Sequence, residues 1–433
     1  MKKKIAGWGR YPVVNARALQ PRMPGRIGPF QGIRPVVPHG LGRSYGDSAI
    51  SDNVLITDRL NKIERFDPVS GLVVCESGVT LEALIDNFLH RGWFLPCTPG
   101  TKYVTVGGAI ASDVHGKNHH VAGCFGESVE SFDLMMPDGT IRTCSKKENP
   151  DFFHATCGGM GLTGLITRAA VRLTPVKSCH IDQTTVKARN LAHVFELFEA
   201  YAHAPYSVAW IDCLTGGACL GRSLLMVGDH AQDGCLSHSP KGTIDTPVVF
   251  PSHALNPWSV RAFNWLYYHR IRRGVVQTKV DYNSFFYPLD AIGNWNRIYG
   301  KNGFTQYQFV LPKEASLEGL KEILGRIAES GLGSFLAVLK LFGKGNENWL
   351  SFPREGYTLA LDMKIEPKLF PLLNLLDAIV AAYGGRIYLA KDVRMSKETF
   401  QSGYPMLDRF KEFRGRHGLT DTLQSLQSIR LEY

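Results

Sequence analysis

Thr105 to His120 reads TVGGAIASDVHGKNHH, a glycine pair followed by small residues and a His-Gly-Lys-Asn-His-His run. Without a Cβ at Gly107 and Gly108 the main chain can approach a large flat ligand and turn N–H groups toward phosphate oxygens. Ala109, Ala111 and Ser112 extend that thin surface. The same run also suits close helix packing, so its meaning turns on the sequence around it.

Two further glycine-rich segments flank it. Gly40-Leu41-Gly42-Arg43-Ser44-Tyr45-Gly46-Asp47 follows the strand-like Arg34 to Val37, and such a loop presents consecutive N–H groups that suit a pyrophosphate. Gly159-Met160-Gly161-Leu162-Thr163-Gly164 has the spacing of a dinucleotide fingerprint, which requires a strand before it and a helix after it. Here Phe152 to Thr156 reads as a weak strand and Leu165 to Leu173 as a strand, so a tight connection at a ligand wall is expected instead.

Short strands at Val54 to Thr57, Leu72 to Glu76 and Ile141 to Cys144 alternate with a helix that Thr80 caps and Gly92 closes. An α+β domain is complete by about Pro175. Beyond it, helical periodicity at Leu191 to His203, Ser316 to Ser330 and Pro367 to Tyr383 alternates with long strands at Gln306 to Leu311, Phe335 to Phe342 and Tyr357 to Ile365. This is a second α+β domain, with an antiparallel sheet. Gly234 to Pro257 reads as a loop. The aromatic and basic segment Trp258 to Arg273 suits either a membrane-interface patch or a buried helix with a charged end.

With 433 residues and 44% hydrophobic content, the chain can bury more than one core. The 9 cysteines form no Cys-x-x-Cys pair, which argues against a zinc ribbon or a dithiol redox motif and fits a reducing compartment. No signal peptide or membrane span is predicted, so a cytoplasmic protein is expected, with a peripheral place at the inner face of the plasma membrane left open. The net charge of +10 favours anionic partners, but no nucleic-acid motif accompanies it.

The loop at Gly40 to Asp47, Pro99-Gly100-Thr101, Thr105 to His120, Phe132-Asp133-Leu134 and Gly158 to Ile166 together resemble the PCMH-type FAD-binding domain of the vanillyl-alcohol-oxidase superfamily. Within it the chain is most similar to the polyprenylphosphoryl-ribose 2-oxidases, through Gln306 to Val310, Leu339 to Gly343 and Tyr388 to Asp392. The resemblance implies a FAD-binding domain over residues 1–178, a substrate domain over 179–385 and a return to the first domain over 386–433. It implies that FAD is held by Gly40, Leu41, Gly42, Arg43, Ser44, Tyr45, Gly46, Asp47, Gly100, Thr105, Val106, Gly107, Gly108, Ser112, Asp113, Val114 and His115, with Ile166 and Tyr388 completing the walls. It also implies oxidation of the 2-hydroxyl of a polyprenylphosphoryl-β-D-ribofuranose to the 2-keto sugar. A separate NAD(P)H-dependent short-chain reductase would complete the epimerisation to the arabinose form used in cell-envelope glycans. An aldonolactone or alditol oxidase acting on a free sugar shares the flavin domain, and a flavin-binding scaffold for the reductase is the non-enzymatic alternative.

On the substrate side, the two-residue period puts Lys340 on the face of Leu336, Val338 and Phe342, and puts Gln306 and Gln308 on one face with Val310. A lysine on a covered strand calls for an anion, and the amides suit sugar hydroxyls. The resemblance makes Lys391 the leading catalytic residue, with His115 and Tyr45 beside the flavin and the sugar. Thr358 and Ala360 stand where relatives carry Asn and Cys among the substrate-binding residues. Many members of the superfamily tether the flavin through a His in an Arg-Ser-Gly-Gly-His loop; here Arg43-Ser44 is followed by Tyr45-Gly46-Asp47. Non-covalent FAD is therefore expected: acid precipitation should release the yellow colour into the supernatant, and colour retained in the pellet would contradict it.

Overall fold

The computed structural model describes residues 2–21, 28–237, 242, 244–251 and 255–433. Two small sheets and one large one make up most of it, beside two two-stranded pairs. A four-stranded sheet runs in the order Lys2–Ala6, Val13–Leu19, Asn53–Ile56, Val36–His39, and a five-stranded antiparallel sheet in the order Ile63–Asp67, Leu72–Glu76, Leu165–Arg172, Val129–Met135, Ile141–Cys144. The first predicted strand starts two residues later than its apolar pattern suggested. Pro35 has no N–H to give to a ladder, and the strand that follows it lies at the sheet edge, where Pro38 is tolerated.

Phe152 to Thr156, read as a weak strand, is instead part of the helix Pro150–Thr156. Pro150 sits in its first turn, where a missing N–H costs nothing and the fixed φ already suits a helix. Phe153 stacks on Phe132 with ring centroids 5.4 Å apart, so the apolar run covers the sheet. The glycine-rich segment after it therefore has a helix before and a strand, Leu165–Arg172, after.

The large sheet has eight antiparallel strands in the order Val275–Asp281, His180–Ala188, Ser223–His230, Tyr206–Ile211, Ala337–Phe342, Gly356–Lys364, Phe304–Pro312, Arg386–Ile387. Helices Leu191–Ala200, Ser316–Ser330 and Leu369–Ala382 cover one face. Alternation then decides what the other face carries: Tyr307, Phe309 and Leu311 enter the core, while Gln306 and Gln308 line the cavity opposite. Part of the loop predicted at Gly234 to Pro257 lies outside the described residues; within the described part, Ile244–Asp245 pairs in parallel with Ile292–Gly293.

The C-terminal segment returns to the first sheet. Val36 donates to the Thr422 carbonyl at 2.9 Å and accepts from the Gln424 N–H at 3.1 Å. Fully buried Arg414 donates to the carbonyls of Leu162, Leu423 and Tyr433. Arg430 bridges two buried carboxylates, Asp47 at 2.9 Å and Asp392 at 2.7 Å. Its removal would leave two buried negative charges facing each other. Arg430→Met is expected to lower unfolding free energy by about 3 kcal/mol, read as a lower denaturant midpoint, whereas the exposed-pair variant Arg416→Met should shift it little.

Candidate active site

A cavity of about 670 Å³ separates the two small sheets from the open face of the large one. Its nucleotide-like half is walled by main chain. Thr105 caps the short helix Val106–Ala111, its Oγ1 accepting from the Gly108 N–H at 3.1 Å. The N–H groups of Val106 and Gly107 donate to the carbonyls of Val79 and Ser77, each at 2.8 Å. These three donors are therefore spent within the protein, which corrects the expectation that the glycine pair turns them toward phosphate.

Thinness is what the pair contributes. A Cβ on Gly107 would stand 3.0 Å from the Ser77 Cβ, and one on Gly40 would stand 2.6 Å from Thr105 Oγ1. Free donors lie in the other loop instead. Among the described residues, the N–H groups of Leu41, Gly42, Arg43 and Ser44 donate to no protein acceptor, and all four residues line the cavity. Arg43 is held over the Trp8 ring at 4.1 Å while its Nε donates to the Tyr103 carbonyl at 3.0 Å, so Trp8, unremarked in the sequence, joins the wall.

Of the residues expected around the cofactor, Gly40 to Tyr45, Gly100, Thr105, Gly107, Gly108, Ser112, Val114, His115, Ile166 and Tyr388 line the cavity. Gly46, Asp47, Val106 and Asp113 do not. Gly46 backs onto the Asp392 carbonyl, Asp47 pairs with Arg430, and Val106 is fully buried. Asp113, also fully buried, accepts from the Gly126 N–H, Asn346, Asn348 and Ser351, which ties the helix end to a distant loop.

The inner half is polar and cationic. Lys391 Nζ lies 3.9 Å from the centre of the Tyr45 ring, and the Tyr45 N–H donates to the Ala390 carbonyl at 3.0 Å. Lys340, Gln306, Gln308 and Ala360 face the same space. Lys117, overlooked within the opening stretch, lines it as well and donates to the Phe285 carbonyl. Burial, with Lys340 nearby, pushes Lys117 down to about 7, and burial pushes Lys340 down to about 8. Lys391 is likewise lowered by burial, against the pull of Asp362 and with the push of Lys340. Asp362, absent from the sequence reading, is 1% exposed; burial raises it, Gln306 donates to its Oδ1, and its Oδ2 has no hydrogen-bond partner.

A hydrogen-bond chain sets the state of His115. The Thr358 hydroxyl donates to the Phe309 carbonyl at 2.7 Å, so it accepts from the Gln308 amide at 3.2 Å. The same amide nitrogen lies 3.0 Å from His115 Nε2, which must then be the acceptor. Burial and the neighbouring Lys340 and His119 push His115 well below its ordinary pKa, so the ring is neutral and carries its proton on Nδ1, an atom with no protein partner. Thr358 is 1% exposed and does not reach the cavity, which corrects its placement among substrate contacts; its hydroxyl orients Gln308 from behind. His119 packs on Phe342 with ring centroids 4.5 Å apart, and His120 bonds the Ala204 carbonyl, so both are structural.

A family model described as an FAD binding domain matches residues 32–145. A decaprenylphosphoryl-beta-D-ribose oxidase of Mycolicibacterium smegmatis is 38% identical, over 95% of this chain and 94% of its own length. The chain belongs to this oxidase family. An uncharacterized protein of Streptomyces coelicolor is 31% identical over 78% of this chain and 95% of its own length. An L-gulono-1,4-lactone dehydrogenase of Mycobacterium tuberculosis is 23% identical over 87% of this chain and 85% of its own length. The enzyme is an FAD-dependent oxidoreductase, and its cavity fits that cofactor. Four consecutive residues with unspent N–H groups line it, Ser77 Oγ on its wall is buried without a partner, and a Cβ on Gly100 would meet no protein atom within 4 Å.

Proposed function

We propose that the enzyme oxidises the 2-hydroxyl of a polyprenylphosphoryl-β-D-ribofuranose to the 2-keto sugar, which a separate NAD(P)H-dependent short-chain reductase then reduces to the arabinose epimer. Near-full-length similarity to an oxidase named for decaprenylphosphoryl ribose carries this reading. The cavity supports it, because its inner half gathers Lys117, Lys340 and Lys391 with two amides, a set that suits an anionic sugar. Residues 1–178 and 386–433 hold the cofactor in this reading, and residues 179–385 present the sugar. FAD, bound without a covalent tether, supplies the hydride acceptor.

The protein's own groups divide the remaining work. His115 cannot serve as base at Nε2 without losing the Gln308 donor, so it offers its Nδ1 proton to a sugar oxygen. Burial frees the Lys391 amine near neutral pH, as it does that of Lys117, and Lys391, lying against the Tyr45 ring and under the pull of Asp362, takes the hydroxyl proton. Its sign follows: a cation whose pKa is lowered is deprotonated, and active as a base, above the depressed value. The rate of anaerobic flavin bleaching by a short prenylphosphoryl riboside should therefore rise with pH through the neutral range and level off. Lys391→Met should slow it by about 10²–10⁴-fold. Bleaching by ribose or gulonolactone but not by the riboside would favour a free-sugar oxidase instead.

The enzyme also meets anionic membrane in this reading. Helix Pro257–His269 exposes Trp258 at 78%, Trp265 at 54% and Leu266 at 63%. Tyr267 and Arg270 of the same segment line the cavity, as does exposed Ile292, so the cavity opens beside this helix and a prenyl tail leaving it meets an apolar, arginine-bearing surface. No helix among the described residues is long and apolar enough to cross a membrane. Flotation with vesicles containing anionic lipid should recover the wild type but not a Trp258→Ala/Trp265→Ala double variant; equal recovery of both would remove the membrane role.

A further inference from the structure

Where the chain enters the large sheet, two thiols and an imidazole converge away from the cavity, with a carboxylate beside the imidazole. The Sγ atoms of Cys179 and Cys235 and a ring nitrogen of His180 all lie within 4.8 Å of one another. His180 Nδ1 is buried without a hydrogen-bond partner and stands 3.4 Å from Asp233 Oδ2. None of the four residues lines the cavity.

A tetrahedral ion would draw these atoms together by up to about 1 Å from their 4.8 Å bound. With metal–sulfur bonds of about 2.3 Å and metal–nitrogen or metal–oxygen bonds of about 2.0 to 2.1 Å, neighbouring ligand atoms sit roughly 3.3 to 3.8 Å apart. The backbone already holds the two ligand-bearing segments together. Cys179 N–H donates to the Cys235 carbonyl at 2.8 Å, Ser178 Oγ donates to the same carbonyl at 3.2 Å, and Cys235 N–H donates to Asp233 Oδ1 at 3.1 Å. Both thiols point at one acceptor, the Ser237 carbonyl, at 3.3 Å and 3.8 Å. A metal would replace these weak S–H contacts with thiolate bonds. Asp233 Oδ2 also accepts from Lys279 at 2.9 Å, and that lysine is half exposed, so releasing it to water costs little.

We propose that Cys179, Cys235 and His180, with Asp233 in the fourth position, form a structural site for a thiolate-binding divalent cation, zinc by ligand type. Binding displaces the thiol protons and fastens the segment after the Ser223–His230 strand to the chain entering the sheet. A disulfide between the same cysteines is the competing outcome.

The test is titration of reduced, FAD-loaded enzyme with Co²⁺. About one equivalent should bind and give tetrahedral d–d bands to the red of the flavin absorption, Zn²⁺ should displace it, and the flavin spectrum should stay unchanged. Cys179→Ser and Cys235→Ser should each abolish the bands, while Cys219→Ser, at an exposed cysteine outside the cluster, should keep them. His180→Gln should weaken binding at least tenfold. Absence of the bands in wild type, their survival in both cysteine variants, or loss of two titratable thiols in air with no bound metal would overturn the proposal.

Discussion

The loop from Gly40 to Asp47 lies backbone against backbone on Ala390 to Asp392, and the inner half of the cavity depends on that contact. A Cβ on Gly46 would sit 1.7 Å from the Asp392 carbonyl oxygen, so a side chain there would force the two segments apart. Because they touch, the Tyr45 N–H reaches the Ala390 carbonyl and the Tyr45 ring lies beneath Lys391 Nζ. Arg430 fastens the same junction from behind by spanning Asp47 and Asp392. The glycine-rich loop at Gly40 to Asp47 and Lys391, far apart in the chain, are thereby parts of one local structure.

Burial of cationic groups follows from this closure. Lys117, Lys340 and Lys391 each lose hydration, and each is lowered, because the charged form is the one that desolvation penalises. A site of this kind is costly to leave without an anion, and it is suited to proton uptake near neutral pH. His115 is driven the same way, and its tautomer is then set by geometry through Thr358 and Gln308. Two kinds of control act side by side: a general one from low dielectric and a specific one from directed hydrogen bonds.

Much of the fold was legible because period and capping are local. Thr80 does cap its helix, with Oγ1 accepting from the Ala83 N–H, and Gly92 takes the left-handed conformation expected of a terminator. Ser316–Ser330 matches its predicted limits. Phe152 to Thr156 misled because two adjacent aromatics resemble a strand, and Asn149-Pro150 was the helix-start signal that should have outweighed them. The partners of the glycines were not legible. Nothing in Gly107-Gly108 says that their N–H groups are spent, because the Gly107 acceptor, the Ser77 carbonyl, belongs to another part of the chain and the Gly108 acceptor is the Thr105 cap.

The sequence by itself determined the α+β class and the set of lysines, glutamines and histidine available to the site, since residue types and periodicities carry that information, and its family resemblance supplied the cofactor. Only the tertiary structure decided which of them meet. It removed Asp47, Asp113 and Thr358 from the wall, brought in Trp8 and Lys117, and set Lys391 under the pull of Asp362, a buried carboxylate on the Gly356–Lys364 strand. The reason is physical: burial, pairing and hydrogen-bond direction depend on distances across space, and the linear chain does not specify those until its sheets have packed.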